Sequence, residues 1–433
     1  MRAQVRVRFL DARPLRGSRS FRDLWIGTSV SQFGGQMANV AVLAQVWDLT
    51  GSPVGTGAIG LATGLPMILF GLLGGTLADA VDRRAVVRAT TAGHLLAAAG
   101  LCAQALAGNR NVLLLLALVA VGTSCGALGA PARRTFPVRL LPGDQVAAGL
   151  ALTNVSFQAA MLAGPAVAGL VIAHWGFSAA YATQAVATAV ALLAVVRLPA
   201  MRPEGTGAAG GRRRLKRGGW GIVLRRPTLW GSMATDLSAT LLAMPIALFP
   251  LVNEARFGGS PQTLGLFLSA VAVGGITAGL LSGTVTRRRR AGLVQLSAAG
   301  VWGLALACFG LAGPLWLALA CLAVAGAADT VSVVTRGALV QRETPDAYRG
   351  RVSSVEHVIG VAGPELGNLR GGLLASATSA SFSLVFGGLS AVLAIAAVSA
   401  VNAPLRAYRT PPASAKPPAP AVADAAAATG PGG

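Results

Sequence analysis

The chain has 433 residues, 54% of them hydrophobic and 12% charged, with a mean hydropathy of +0.63. Soluble domains carry roughly a quarter charged residues, so this balance excludes an ordinary soluble protein and indicates a polytopic membrane protein. The formal charge of +21 leaves phosphate binding and membrane topology as rival readings, and the placement of the charges decides between them.

A helix needs about 20 apolar residues to cross about 30 Å of hydrocarbon. In chain order, spans of that kind are predicted at 22–47, 53–78, 85–107, 112–131, 146–172 and 177–198. A second set follows at 229–252, 262–285, 291–312, 315–337, 352–377 and 380–404. Trp175-Gly176 and Gly313-Pro314 supply breaks inside the long uncharged runs. The expected architecture is an all-α membrane protein of twelve transmembrane helices, with a six-helix bundle over 22–198 and another over 229–404.

Residues 1–21 are Arg-rich, but the span after them is too long for a signal peptide and another span follows at once, so they read as an uncleaved arm. Residues 199–228, rich in Gly and Arg, form a linker between the halves, and the Pro/Ala-rich tail over 405–433 is expected to be disordered. All but three of the 36 Lys and Arg residues fall on the arm, the linker, the tail and alternate connections. Arg110 and Arg256 lie on the other side, and Arg370 lies within a span. By the positive-inside rule both termini and the linker are cytoplasmic, in a plasma-membrane protein. The basic charge is then topogenic, the bilayer is the partner, and nucleic acid is not expected as one.

Energy from ATP would need a phosphate-binding loop ending in Lys, and Lys216 and Lys416 precede Arg and Pro. The four cysteines (102, 125, 308, 321) and three histidines (94, 174, 357) are scattered, so neither a metal nor another cofactor is expected, and an enzyme has no convergent catalytic cluster. Ionisable groups at membrane depth are costly and suggest function. Asp236, Asp329 and Glu365, with Arg370 five residues beyond the last, all lie in the second half. Asp236 and Glu365 are the first candidates for proton carriers, with Arg370 as a displaceable counter-charge. Asp329 shares a helical face with Ser332 and Arg336, which fits a structural pair as well as coupling. For the whole set, the alternative is a fixed ion-pair network.

The first half offers neutral polar groups instead. Ser29, Gln32, Gln36 and Asn39 recur at spacings of three and four, as do Asn154 and Gln158, which stacks each set on one helical face. Such groups can orient a ligand in a cavity or hydrogen-bond between helices. Gly360, Gly363, Gly367 and Gly371 form a small-residue stripe that permits close helix approach.

The halves echo each other. Ala163-Gly164-Pro165-Ala166 returns as Ala362-Gly363-Pro364-Glu365, and Leu141-Pro142-Gly143-Asp144 as Thr344-Pro345-Asp346. Internal repeats of this kind mark secondary transporters whose bundles rock about a central site. The turn from Gly75 to Arg84 resembles the signature Gly-x-Leu-Ala-Asp-Arg-x-Gly-Arg-Arg of the major facilitator superfamily: Gly75, Leu77, Ala78, Asp79, Arg83 and Arg84 match, while Ala80 and Asp82 depart. The resemblance implies that Asp79 approaches the start of the eleventh span, near Arg351 and Val352, as a gating latch. Gly164-Pro165 with Gly169 is similar to the Gly-Pro-x-x-Gly-Gly motif of drug exporters in that superfamily. Ala327-Ala328-Asp329, the Arg342–Arg351 loop and Leu405-Arg406 with Arg409 resemble the branch of enterobactin and macrolide exporters. That resemblance implies proton-driven export of a bulky small molecule. An importer or symporter, or a non-transporting membrane enzyme or scaffold, remains as the alternative. No dimerisation segment is visible, so a monomer is expected.

Overall fold

The computed structural model describes residues 11–199, 218–281, 290–344 and 348–409. The first ten residues, most of the linker, residues 282–289 with Arg287 to Arg289 among them, residues 345–347 and the tail from 410 lie outside the described residues. So do the side chains of Gly75, Asp79 and Arg351, and with them the latch contact.

The described chain is helical. After a short α1 (Arg13–Gly17) come α2 (Arg19–Thr50), α3 (Pro53–Ala80), α4 (Arg83–Leu106), α5 (Val112–Arg134), α6 (Phe136–Leu140) and α7 (Val146–Val196). Beyond the linker are α8 (Gly218–Arg225), α9 (Pro227–Ala243), a 3-10 turn (Ile246–Leu248), α10 (Phe249–Phe257), α11 (Pro261–Leu280), α12 (Ala291–Leu311), α13 (Leu315–Glu343), α14 (Arg349–Ala377), α15 (Ala380–Val401) and α16 (Ala403–Ala407). Among the described residues nine helical stretches are long and apolar enough to cross a membrane by length and composition, against the twelve expected. That measure takes α7 once, although its 51 residues bend at Gly176, where φ is +76° and only glycine sits without strain. It also passes over α2 and α14, which have 32 and 29 residues and more polar faces.

Local chemistry sets the helix ends. The Ser52, Ser260 and Ser379 hydroxyls accept from backbone N–H groups in the first turns of α3, α11 and α15. Asp82, the departure from the superfamily pattern, caps α4 by accepting from the Arg84 N–H at 2.9 Å. The expected boundaries shift in three places. α5 runs on to Arg134, so Arg133 belongs to its last turn and not to a loop. Within the arm, α1 forms and Phe21 is buried. The first residues of the tail pack on the second half: the apolar Leu405 is buried and the Tyr408 carbonyl accepts from the Gly292 N–H at 3.4 Å.

The largest correction falls on the span at 229–252. It is not one helix: α9 stops at Ala243, Met244 is extended with ψ 122°, and the chain resumes as a 3-10 turn before α10. Pro245 is the cause, since it disfavours helical backbone at the residue before it and lacks an N–H for the ladder.

Helices before residue 200 pack chiefly on one another, as do those after 217. The halves meet where α3 lies along α14 and where α7 lies along α11. Counted as sequence spans, the second meets the eleventh and the eighth meets the fifth, the relation a pseudo-twofold axis produces. Edge-to-face contacts among Phe249, Phe267 and Phe309, at centroid distances of 5.5 to 5.7 Å, anchor the core of the second half.

Candidate functional site

At the junction of the halves is a cavity of about 360 Å³. Its walls include Gln36 and Asn39 of α2, Thr56, Gly60 and Thr63 of α3, Pro165 of α7, Met244 to Ala247 of the broken span, Trp302 of α12, and Glu365 and Asn368 of α14. Irregular backbone at membrane depth is tolerated where it lines a cavity and its polar groups find partners. Both conditions hold here. The Ala247 N–H donates to Asn368 Oδ1 at 3.1 Å, and its carbonyl accepts from Thr56 Oγ1, across the junction, at 2.7 Å.

Glu365 is the acid that lines this cavity, with Thr63 and Asn368 beside it on the wall. The glycines of α3 place it there. A Cβ at Gly60 would lie 2.6 Å from the Glu365 carbonyl oxygen, and one at Gly64 would lie 2.8 Å from the Glu365 Cβ. The second junction is as close: a Cβ at Gly169 would lie 2.5 Å from the Pro261 carbonyl oxygen, and one at Gly265 would lie 2.3 Å from that of Pro165. Ser269 adds a hydroxyl bond to the Leu162 carbonyl at 2.8 Å. Gly164 rests on Gln36, 2.6 Å from its Cβ by the same measure. The Gly164, Pro165 and Gly169 motif thus lies where α7 meets α2 and α11.

The other acids are elsewhere. Asp236 is buried and paired with Arg336 of α13, whose Nε lies 3.4 Å from Glu356 Oε1 of α14. Arg336 therefore faces Asp236 and Glu356, where the sequence paired it with Asp329. Asp329 has no hydrogen bond or ion pair among the described residues. Arg370 does not line the cavity with Glu365. Its Nη2 donates to the Leu242 carbonyl beside the break, with Gly387 providing the room.

The small-residue stripe divides. Gly363 and Gly367 pack α14 on Thr240 of α9, Gly371 makes ordinary contact with Met244, and Gly360 faces open space. The polar set on α2 divides too. Gln36 and Asn39 face the cavity, Ser29 donates to its own helix at Trp25, and Gln32 faces a separate cavity inside the first half. Asn154 is exposed and Gln158 half-buried, both outside this cavity. Leu77 is exposed, and Arg84 donates to the Val196 carbonyl at the end of α7.

Sequence reasoning missed Thr56, Glu356 and Asn368. Thr56 and Asn368 look like ordinary polar residues in apolar spans; the Met244-Pro245 break they serve was the readable signal.

Two half-sets of helices, close junctions at glycine, and a largely apolar cavity with a few polar groups beside a broken span define a multi-pass membrane transporter of the major facilitator class, not an enzyme. The chain belongs to the family described as transmembrane secretion effectors, which matches residues 12–431. It is 26% identical to the enterobactin exporter EntS of Citrobacter koseri over 91% of this chain and 94% of that protein. It is 27% identical to the enterobactin exporter EntS of Escherichia coli O1:K1 over 87% of this chain and 92% of that protein. Among solved structures, a peptide transporter POT in complex with sulfate shares the fold with a TM-score of 0.69 at 12% identity, covering 90% of this chain and 95% of that one. A D-xylose–proton symporter does so with a TM-score of 0.68 at 15% identity, covering 87% and 96%.

Proposed function

We propose that this transporter exports a bulky small molecule, of siderophore or macrolide-like size, by proton-coupled antiport, and that it works as a monomer with both termini and the arginine-rich loops in the cytoplasm. The observation that carries the reading is Glu365: one carboxylate in the cavity wall, held against the backbone of the opposite half at Gly60 and Gly64. A carboxylate at a junction between moving halves is exposed to water on alternate sides as they rock, and proton uptake on one side is matched to release on the other. The resemblance to enterobactin exporters supports the direction and the cargo class.

The remaining groups take secondary roles. Asp329, without a described partner, is a second proton-binding candidate. Asp236 becomes one only when Arg336 leaves it for Glu356. Arg370 steadies the end of α9 beside the break. Gln36 and Asn39 orient cargo, since amides do this without the desolvation cost of fixed charge. Asp79 is retained as the cytoplasmic latch.

Everted membrane vesicles with an acid interior test the reading, using a panel of catecholate siderophores and macrolides as cargo. Accumulation that collapses with a protonophore and is lost in Glu365→Gln is the expected result. Accumulation indifferent to ΔpH overturns the coupling, and cargo leaving the vesicles overturns the direction.

A further inference from the structure

We infer that the first half contains a second ligand site, for the oxyanion head of a phosphate-class amphipath, centred on Arg133 and separate from the cavity at the junction. Arg133 lies in the last turn of α5, at the end of the bundle that carries the arginine-rich loops. Its guanidinium has no hydrogen bond or ion pair among the described residues, and its Nε is shut away from solvent. Other arginines in the interior differ. Arg336 has Asp236 and Glu356, Arg256 has the Ala312 carbonyl at 3.0 Å, and Arg370 has the Leu242 carbonyl. Arg133 is half-buried, and a charge drawn part-way out of water without a partner is costly; a counter-charge supplied from outside the chain offsets that cost.

The surroundings are built for such a counter-charge. Two cavities, of about 530 and about 200 Å³, both line on Thr28, Gln32 and Arg133. Three more polar atoms on their walls are secluded and unpartnered: Trp25 Nε1, Gln32 Oε1 and Thr91 Oγ1. Indole N–H and hydroxyl are donors, and rotating the Gln32 amide end for end presents its NH2. Among the described residues no acidic side chain lines either cavity. Gly129 keeps the guanidinium in place, for a Cβ there would lie 2.8 Å from Arg133 Nη2 and 2.4 Å from Thr90 Oγ1. A fork of guanidinium N–H groups, with indole, hydroxyl and amide donors around it, matches the several acceptor oxygens of a phosphate. Arg134 and Thr153 also line the larger cavity, and the remainder of its wall is apolar, with Phe21, Leu24 and Leu150 on it, so the ligand's body is apolar while its head is anionic.

The shared chemistry is a phosphate head, and it has two sources: a phospholipid of the surrounding leaflet, or a soluble phosphate-bearing molecule. Neither depends on the direction or coupling of transport. The full-length protein in neutral detergent is titrated with inorganic phosphate against chloride at equal ionic strength, reading Trp fluorescence and thermal midpoint. In parallel, phosphatidylglycerol retained from mixed phosphatidylcholine nanodiscs is counted by native mass spectrometry. A saturable response to phosphate assigns a soluble ligand, and retained phosphatidylglycerol assigns a lipid; either supports the site. Arg133→Gln is expected to weaken binding by about tenfold or more, with Arg133→Lys between it and the parent chain. Where Arg133→Gln fails to fold, Gln32→Leu and Thr28→Val carry the test with the charge intact. Absence of saturable binding by both probes, or binding unchanged in these variants, overturns the proposal.

Discussion

The two halves differ in the polar groups they pair inside an apolar interior. The second half uses charge: Arg336 stands between Asp236 and Glu356, and both Asp236 and Arg336 are 7% exposed. The pairs inside the first half are neutral, as is the second half's own Ser232 and Gln295 pair, and the first half's Arg133 has no partner among the described residues. Gln45 and Gln104 exchange amide bonds at 3.0 and 3.3 Å, and the Tyr181 hydroxyl donates to Gln45 Oε1 at 2.8 Å. A paired charge loses much when one partner goes, because the other is stranded; a neutral cluster loses one hydrogen bond at a time. The half with the candidate proton carriers is therefore the half in which a single substitution does most harm.

Four substitutions sharpen or break that contrast. Arg336→Leu strands Asp236 and is expected to cost about 3–5 kcal/mol, read as a fall in thermal midpoint of the solubilised protein. Adding Asp236→Leu and Glu356→Gln should recover most of it, and a small initial fall would end the contrast. Gly60→Ala brings a Cβ within 2.6 Å of the Glu365 carbonyl oxygen, so an overpacking cost of about 1–3 kcal/mol should appear at the junction. Vesicle transport should drop while the chain stays monodisperse by size exclusion; undiminished transport would show that the halves need not approach so closely. Tyr181→Phe removes one neutral bond and is expected to cost about 0.6 kcal/mol and at most about 1.7. A loss as large as that of Arg336→Leu would place the two halves on equal footing. Asn154→Ala, at an exposed position, should stay within about 0.5 kcal/mol of the parent in both stability and transport.

Composition and charge placement made the membrane class and most helices legible, and Trp175-Gly176 marked a real bend. The span at 229–252 shows why legibility stops. Its hydropathy is continuous across Met244 and Pro245, so a pattern of apolar residues passes through a backbone that does not. Residues of the candidate site were readable in proportion to their charge. Glu365 stood out because an acid in a span is rare, whereas Thr56 and Asn368 act by holding one peptide group, and no periodicity announces that. Arg370 misled for the complementary reason. Five residues from Glu365 on the same helix, it reaches a different neighbour, because helical spacing fixes the direction of a side chain and not what lies there.

The hydroxyl of Thr56 spans the seam between halves to reach the Ala247 oxygen. When the seam opens, that oxygen is stripped of its donor unless something wet or hydroxylated takes the vacant place, a deficit of about 1–3 kcal/mol. An unloaded carrier would then be reluctant to cycle, while cargo bearing a well-placed O–H or N–H would lift the reluctance. One threonine would in this way discourage futile turnover.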